Sequence, residues 1–183
     1  TNLTTNGSGF DIDKTDGTMP TNLSFAGEMI WRDSHGMQPV TGAHWGTQGT
    51  PLSKAGWTIT TNSEDTKWGH KVAFAADGDL CSLATTGSSM KDGDWFAIDL
   101  GKAESFSKLE WLTNNRPKAA PSDLEVFVSD DGKSWGAAIA RKTFASARTV
   151  LNFPKQTKRH VKIVSHTTKA GQNLAVSEIT LFP

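Results

Sequence analysis

The stretch Asp123-Leu124-Glu125-Val126-Phe127-Val128-Ser129-Asp130-Asp131-Gly132-Lys133-Ser134-Trp135 decides the fold of this chain. Leu124, Val126 and Val128 fall on one face at period two, and Glu125, Phe127 and Ser129 on the other, which predicts a half-buried strand. Asp130, Asp131 and Gly132 then reverse the chain, because Asp bonds its own backbone and Gly tolerates positive φ. A strand and turn of this kind belongs to a sheet scaffold. Chemistry must come from the loops between such strands.

The same rhythm extends to both sides. Upstream, strands are expected at Leu23–Trp31, Gly56–Thr60, Val72–Phe74, Trp95–Leu100 (ending at Gly101) and Phe106–Thr113. In the last of these, Phe106 and Leu109 are parted by two polar residues, the mark of a bulge or a late start. Downstream, Ile139–Phe144, Arg148–Phe153, Arg159–Ser165 and Val176–Phe182 complete the series. No window of helical length keeps an apolar stripe free of Gly, Pro or β-branched residues. Strands parted by polar loops with no intervening helices predict an all-β, antiparallel sandwich or jelly roll. Residues 1–22, rich in Thr, Asn and Gly, read as an N-terminal arm. Residues 23–183 read as the sandwich, with an N-terminal extension over 23–53 broken by Gly36, Pro39, Gly42, Gly46, Gly49 and Pro51.

Charge and cysteine content narrow the function. The 19 basic and 19 acidic residues cancel, and no basic block occurs, which argues against nucleic-acid binding. Cys81 is the single cysteine, so neither an intrachain disulfide nor a multi-cysteine metal site can form. No apolar run is long enough for a transmembrane helix. A start at Thr1 without a signal segment points to a processed secreted protein or a module excised from a longer one.

Five segments occur in an order that matches a known family: Ala76-Asp77-Gly78-Asp79, Trp95-Phe96-Ala97-Ile98-Asp99-Leu100-Gly101, Leu124 to Trp135, Arg159-His160-Val161-Lys162-Ile163 and Leu174-Ala175-Val176-Ser177-Glu178-Ile179. From about Gly56 to Phe182 the chain resembles the discoidin, or F5/8 type C, domain, and most of all the bacterial carbohydrate-binding modules of family 32. The resemblance implies a galactose-binding-like β-sandwich whose loops at one end hold a ligand. Residues 1–53 have no counterpart in it.

The resemblance also implies a structural calcium ion. Family members with that ion use the first Asp of the Asp-Gly-Asp turn, a hydroxyl residue five positions on and a Glu near the last strand. Here these are Asp77, Ser82 and Glu178, with carbonyls expected from Asp79, Ser82 and Ala175. Two carboxylates plus carbonyls suit a hard cation that takes 6–8 oxygens. The sequence departs from the pattern after Ser82, where Leu83-Ala84 replaces the usual Thr and a Trp two residues later.

Sugar recognition needs a flat aromatic and planar polar groups around the ring. Two loops offer them. Asn62–Lys71 carries Trp68 and His70, and the segment after Thr113 carries Asn114, Asn115 and Arg116. In the carbohydrate-binding relatives, the loop before the VFVSDDG strand supplies an Arg to the sugar and the first long loop supplies a His. Arg116 and His70 occupy the matching regions. His166, Gln172 and Asn173, in a segment expected to form the last loop, are further candidates. Trp57, Trp95, Trp111 and Trp135 lie within strand or turn patterns and are expected to pack.

No G-x-S-x-G elbow, H-E-x-x-H or phosphate-binding Gly loop occurs, and the matched scaffold is non-catalytic. The expected function is therefore a carbohydrate-binding module, lectin-like, that targets an attached enzyme to a polysaccharide or glycan. The parent is expected to be a secreted or cell-surface bacterial protein. The alternatives are a protein-binding or adhesive domain and, behind it, a membrane-binding domain or a glycan-active enzyme with Glu64 and Asp65, or Glu28 and Asp33, as paired carboxylates.

Overall fold

The computed structural model describes residues 50–113, 116–143 and 145–183, with four short strands nearer the N-terminus. Strands β1 (Leu3–Thr5) and β2 (Phe10–Ile12) pair antiparallel within a unit spanning Thr1–Ile30. The second unit, Trp31–Pro183, holds all the other elements. Its first two strands, β3 (Arg32–Asp33) and β4 (Gly36–Met37), pair with each other. The expected strand at Leu23–Trp31 lies outside the described residues, as do Asn114 and Asn115.

The remaining strands are β5 (Thr58–Thr61), β6 (Ala84–Met90), β7 (Asp94–Leu112), β8 (Asp123–Ser129), β9 (Ala140–Thr143), β10 (Arg148–Ser165), β11 (Lys169–Val176) and β12 (Glu178–Phe182). Six of them form one sheet in the order β12-β7-β10-β8-β9, with β5 added on β7, and every pairing is antiparallel. β6 and β11 form a separate antiparallel ribbon. The all-β, sandwich-like architecture is the one expected.

Two expected breaks proved to be bends. β7 runs through Gly101, and β10 runs through Pro154, because the register shifts where the sequence seemed to stop. Between the Asn152–Lys108 and Gln156–Phe106 pairs, β10 carries three residues against one on β7. Between Lys158–Glu104 and His160–Asp99 the excess is on β7, around Gly101. Gly101 has φ +79°, and a Cβ there would lie 3.2 Å from the Gly56 carbonyl oxygen. Bulges bend and twist a strand, so each half can serve a different neighbour. The first half of β7 pairs with β5 and the second with β12.

Two other expectations are corrected. Val72–Phe74 lies in a 3₁₀ helix, Val72–Ala76, closed by the Phe74 N–H on the Lys71 carbonyl at 3.0 Å. The end of the presumed last loop, from Lys169, is the first half of β11. β6 (ATTGSSM) was not anticipated at all. Both strands are polar, small and Gly-broken, and neither alternates in the way a strand signal requires.

One hydrophobic core joins the layers. Trp111 and Phe96 are fully buried and meet edge to face, with ring centroids 5.8 Å apart. Ala84, Leu174 and Val176 bring the ribbon's inner face into this core. The opening stretch follows its reading as far as Phe127, with Leu124 and Val126 buried and Phe127 half-buried on the other face, but at its end Val128 is half-buried and Ser129 is buried. In its turn Asp131 Oδ1 accepts the Lys133 and Ser134 N–H groups, both at 2.8 Å. Those donors hold the Asp131 carboxyl well below the usual range.

Candidate functional site

The outer face of the β6–β11 ribbon is the floor of the site. Thr85 and Ala175 are paired across it and so share a face. Leu83, two residues before Thr85, packs with Ala175 and with Ala119 of a second 3₁₀ helix, Pro117–Ala119. The ring of His70 reaches the same floor at Thr85 Oγ1, 3.2 Å away. Two loops far apart in sequence, one with Trp68 and His70 and one with Arg116, therefore rest on a single face.

The first loop is held from both ends. Asn62 takes the Trp95 N–H on Oδ1 at 3.0 Å and gives its Nδ2 to Asp94 Oδ1 at 3.1 Å. Ser63 O accepts the Gly87 N–H at 2.9 Å, and Glu64 bridges to Thr86. The approach at Gly87 is so close that a Cβ would lie 2.5 Å from the Glu64 carbonyl oxygen. Only glycine leaves room there.

Asp65 organises the rest of the loop. It is buried, and its Oδ1 accepts the N–H groups of Lys67 (2.8 Å) and Trp68 (3.0 Å). Its Oδ2 accepts the Thr85 hydroxyl at 3.1 Å and lies 2.9 Å from His70 Nδ1. Burial alone would raise this carboxyl. The Trp68 and Lys67 N–H groups, then Thr85 and His70, outweigh it and hold the pKa at about 2. An ionised carboxylate only accepts hydrogen bonds, so a His70 proton sits on Nδ1, and in the neutral ring Nε2 is the acceptor. Nε2 has no partner among the described residues. Asp65 is thus fully committed inside the loop, which removes it from any acid–base pair with Glu64.

Trp68 is 68% exposed, the one large apolar side chain so exposed among the described residues. The Lys67 ammonium lies 5.0 Å from its ring centroid, and Gly69, at φ +75°, turns the chain directly after it. Arg116 is exposed, and its carbonyl accepts the Ala119 N–H at 2.8 Å at the start of the 3₁₀ helix. Its guanidinium has no partner among the described residues. Gln172 is exposed on β11, while the Asn173 amide donates to the Thr86 carbonyl at 2.6 Å. His166 is engaged on both nitrogens, by Asp92 (2.7 Å) and Glu125 (2.9 Å). The Glu125 hydrogen bond leads in pushing its pKa up, against partial burial.

At the Asp-Gly-Asp turn, Asp77 Oδ1 accepts the Asp79 N–H at 2.9 Å, and Asp79 Oδ1 accepts the Cys81 N–H at 2.8 Å. The Ser82 hydroxyl lies 3.0 Å from Asp77 Oδ1, 2.9 Å from the Asp79 carbonyl and 3.3 Å from the Phe74 carbonyl. One hydroxyl proton cannot serve three acceptors at once, so the Ser82 hydroxyl divides between them. Glu178 reaches the turn from β12, its Oε2 accepting the Gly78 N–H at 2.9 Å and its Oε1 meeting the Lys54 ammonium. Burial pushes its carboxyl up, and Lys54 and the Gly78 N–H only partly offset this. The Ala175 carbonyl accepts the Thr113 hydroxyl at 2.8 Å. Among the described residues no three His, Cys, Asp or Glu side chains converge, so a cation here would rely on two carboxylates and neutral oxygens.

The family model for the F5/8 type C domain matches residues 58–179. The chain belongs to this family. Galactose oxidase of Gibberella zeae is 26% identical over 143 residues, which cover 73% of the chain and 21% of the oxidase. The F5/8 type C domain thus matches about a fifth of that relative's length. Among solved structures, the Clostridium perfringens module CpGH89CBM32-5, in complex with GalNAc-β-1,3-galactose, shares 20% identity at a TM-score of 0.63. That match covers 73% of this chain and all of the module. A putative chitobiase fragment from Bacteroides thetaiotaomicron has 18% identity and a TM-score of 0.64, over 74% of this chain and 93% of that one. A chitosan-binding module from Paenibacillus sp. IK-5 has 15% identity and a TM-score of 0.61, over 71% and 96%. At these identities the likeness is one of fold.

Sequence reading named Trp68, His70 and Arg116 but not the groups that position them. Thr85 lies on an unanticipated strand. The spacing of Asp65 two and three residues before Lys67 and Trp68 is that of a side chain capping a turn, and it was the one available signal.

Proposed function

We propose that this domain is a non-catalytic carbohydrate-binding module whose ligand lies over the β6–β11 ribbon between the Trp68–His70 loop and Arg116. The observation that carries the reading is Asp65: a buried, ionised carboxylate that fixes the Trp68 backbone and the His70 tautomer in one act. Trp68 offers an apolar face for a sugar ring, His70 Nε2 accepts from a hydroxyl, and Arg116 donates. Rigid placement lowers the ordering cost on binding. Asn114, Asn115 and Gln172 are proposed as flanking contacts. His166, with both nitrogens engaged, is left out. Attached to a glycan-active catalytic domain in a secreted or cell-surface bacterial parent, such a module raises the catalyst's effective concentration on its polymer. No helix among the described residues is long and apolar enough to cross a membrane.

Calorimetric titration against a glycan panel tests the reading, beginning with GalNAc-β-1,3-galactose and chitosan fragments. Binding to at least one glycan is expected, with Trp68→Ala weakening it about tenfold or more at unchanged melting temperature, and His70→Ala weakening it as much with a lower melting temperature because Asp65 loses a donor. A folded protein that binds no glycan overturns it. We also propose that calcium binds at the Asp77–Ser82 turn, where it would draw on Asp77, the Asp79 and Phe74 carbonyls, Ser82 and Glu178. Its role there would be to tie the turn to β12.

A further inference from the structure

Glu178 has two oxygens and both are taken. The Gly78 N–H holds one and the Lys54 ammonium the other, and Glu178 is only 5% exposed. Lys54 is brought there by its own backbone. The Leu52 N–H donates to the Leu181 carbonyl at 2.8 Å and lays this segment along β12, with Leu52 packed on the core. The Trp57 N–H closes a turn on the Lys54 carbonyl at 3.1 Å. Glu178 and Thr180 project from the same face of β12, and the ammonium also lies 3.3 Å from Thr180 Oγ1.

We propose that the Lys54 ammonium is the resident cation of the Asp77–Glu178 turn, neutralising Glu178 from within the chain, so that calcium enters only by displacing it. The second clause rests on the proposal that calcium binds this turn; the first does not. A buried carboxylate left without a counter-charge is strongly destabilising, which gives Lys54 its role whenever metal is scarce. A divalent ion added beside Lys54 would set two cations on one carboxylate. Calcium binding therefore requires the lysine to swing away, and its side chain, 21% exposed, already reaches solvent. The turn thus trades one monovalent internal cation for one divalent external one, and calcium affinity is lowered by the free energy of parting Lys54 from Glu178.

The test uses calcium alone, with the whole chain, by calorimetry and by thermal melting in EDTA. Lys54→Met should melt several degrees lower than wild type in EDTA, recover on adding calcium, and bind calcium at least tenfold more tightly. Lys54→Arg, which keeps the charge, should stay within about threefold of the wild-type calcium affinity. In a Glu178→Gln background Lys54→Met should cost little, which separates the charge from the packing of the lysine stem. Equal melting of wild type and Lys54→Met in EDTA overturns the proposal, as does wild-type calcium binding as tight as that of Lys54→Met. If Lys54→Met is destabilised but neither protein binds calcium, the calcium reading fails and Lys54 stands as the sole cation. Should Lys54→Met not fold, rescue by calcium or by Glu178→Gln supports the proposal, and rescue by neither overturns it.

Discussion

Asp65 and Glu178 are both buried carboxylates that tie a loop to a strand, and their surroundings act in opposite directions. Asp65 is ringed by four donors from its own loop and from β6, and its carboxyl is held down at about 2. Glu178 has one backbone donor and one lysine, and burial keeps its carboxyl raised. The difference lies in how each charge is compensated. Dipoles fixed by covalent geometry stabilise Asp65 permanently. Glu178 depends on a single ammonium carried on a long side-chain stem. A rigid anchor keeps Trp68 and His70 in place, whereas the anchor proposed above for Glu178, a lysine that gives way to an ion, would make its turn sensitive to its ionic surroundings.

The comparison breaks most severely at Asp65. Asp65→Ala strands two backbone N–H groups and the Thr85 hydroxyl, and should cost about 3 kcal/mol, since hydrogen bonds to a charged group exceed neutral ones. Denaturant titration at neutral pH reads the loss, and glycan binding should disappear with it. The pH dependence has a definite sign. The folded carboxyl titrates at about 2 against an ordinary 3.8, so its contribution is complete above that ordinary value and is lost as pH falls toward 2. Asp65→Asn should flatten this acid limb of the stability profile; an unchanged limb would mean that Asp65 is not the anchor.

Gly87→Ala attacks the same loop from the strand side. A Cβ at 2.5 Å from the Glu64 carbonyl must push backbone, so a loss of about 2 kcal/mol is expected. The loop should detach while the Asp77–Ser82 turn is untouched. Glycan affinity should therefore fall while any calcium response stays as in wild type, which distinguishes two independent anchors from one cooperative end of the domain.

How much of this was legible beforehand depends on the same contrast. The strands of the large sheet alternate in sequence because one face is buried, so β8 and its Asp131 turn could be read from Leu124, Val126 and Gly132 alone. β6 could not. Its Thr85, Thr86 and Ser88 are strand residues because β6 pairs with β11 and because Gly87 admits Ser63 and Glu64, contacts with no local signature. The site was legible as residue types, Trp68 and His70 in a polar loop and Arg116 before β8. That both loops rest on one ribbon face depends on the Thr85–Ala175 register, which is a long-range property. Lys54 lay 124 residues from its partner, with nothing in its neighbourhood to mark it.

Glu178→Gln sharpens the second half of the comparison at smaller cost. The amide oxygen keeps the Gly78 N–H as donor, and the lysine can return to water. About 1 kcal/mol is expected, less than for Asp65→Ala, because the charge being removed was already disfavoured by burial. A loss as large as that of Asp65→Ala would mean that Lys54 and Glu178 form a rigid pair, and the exchangeable-anchor description would fail.

The smallest effect belongs to His166, a third anchor in which the charge sits on the imidazole. Its two nitrogens join Asp92, in the β6–β7 turn, to Glu125 on β8, and Arg141 holds Glu125 from the far side at 3.3 Å. The Glu125 hydrogen bond raises the folded pKa above the ordinary 6.5. A raised histidine stabilises when protonated, so its contribution is complete below about pH 6.5 and is lost as pH climbs through the higher folded value. Asp92 is 71% exposed and His166 28%, so solvent screens the pair and the whole effect should stay under ~1 kcal/mol. Melting temperature measured from pH 5 to 9 should show a shallow decline on the alkaline side, absent in His166→Gln. Asp99, Asp123 and Asp131 are held low as well, so the Asp65 loop is read from the difference between the acid limbs of wild type and Asp65→Asn, and the His166 loop from the alkaline limb. If Asp65→Asn no longer changed the acid limb in a His166→Gln background, the two loops would open together, and the picture of independently fastened loops would have to be abandoned.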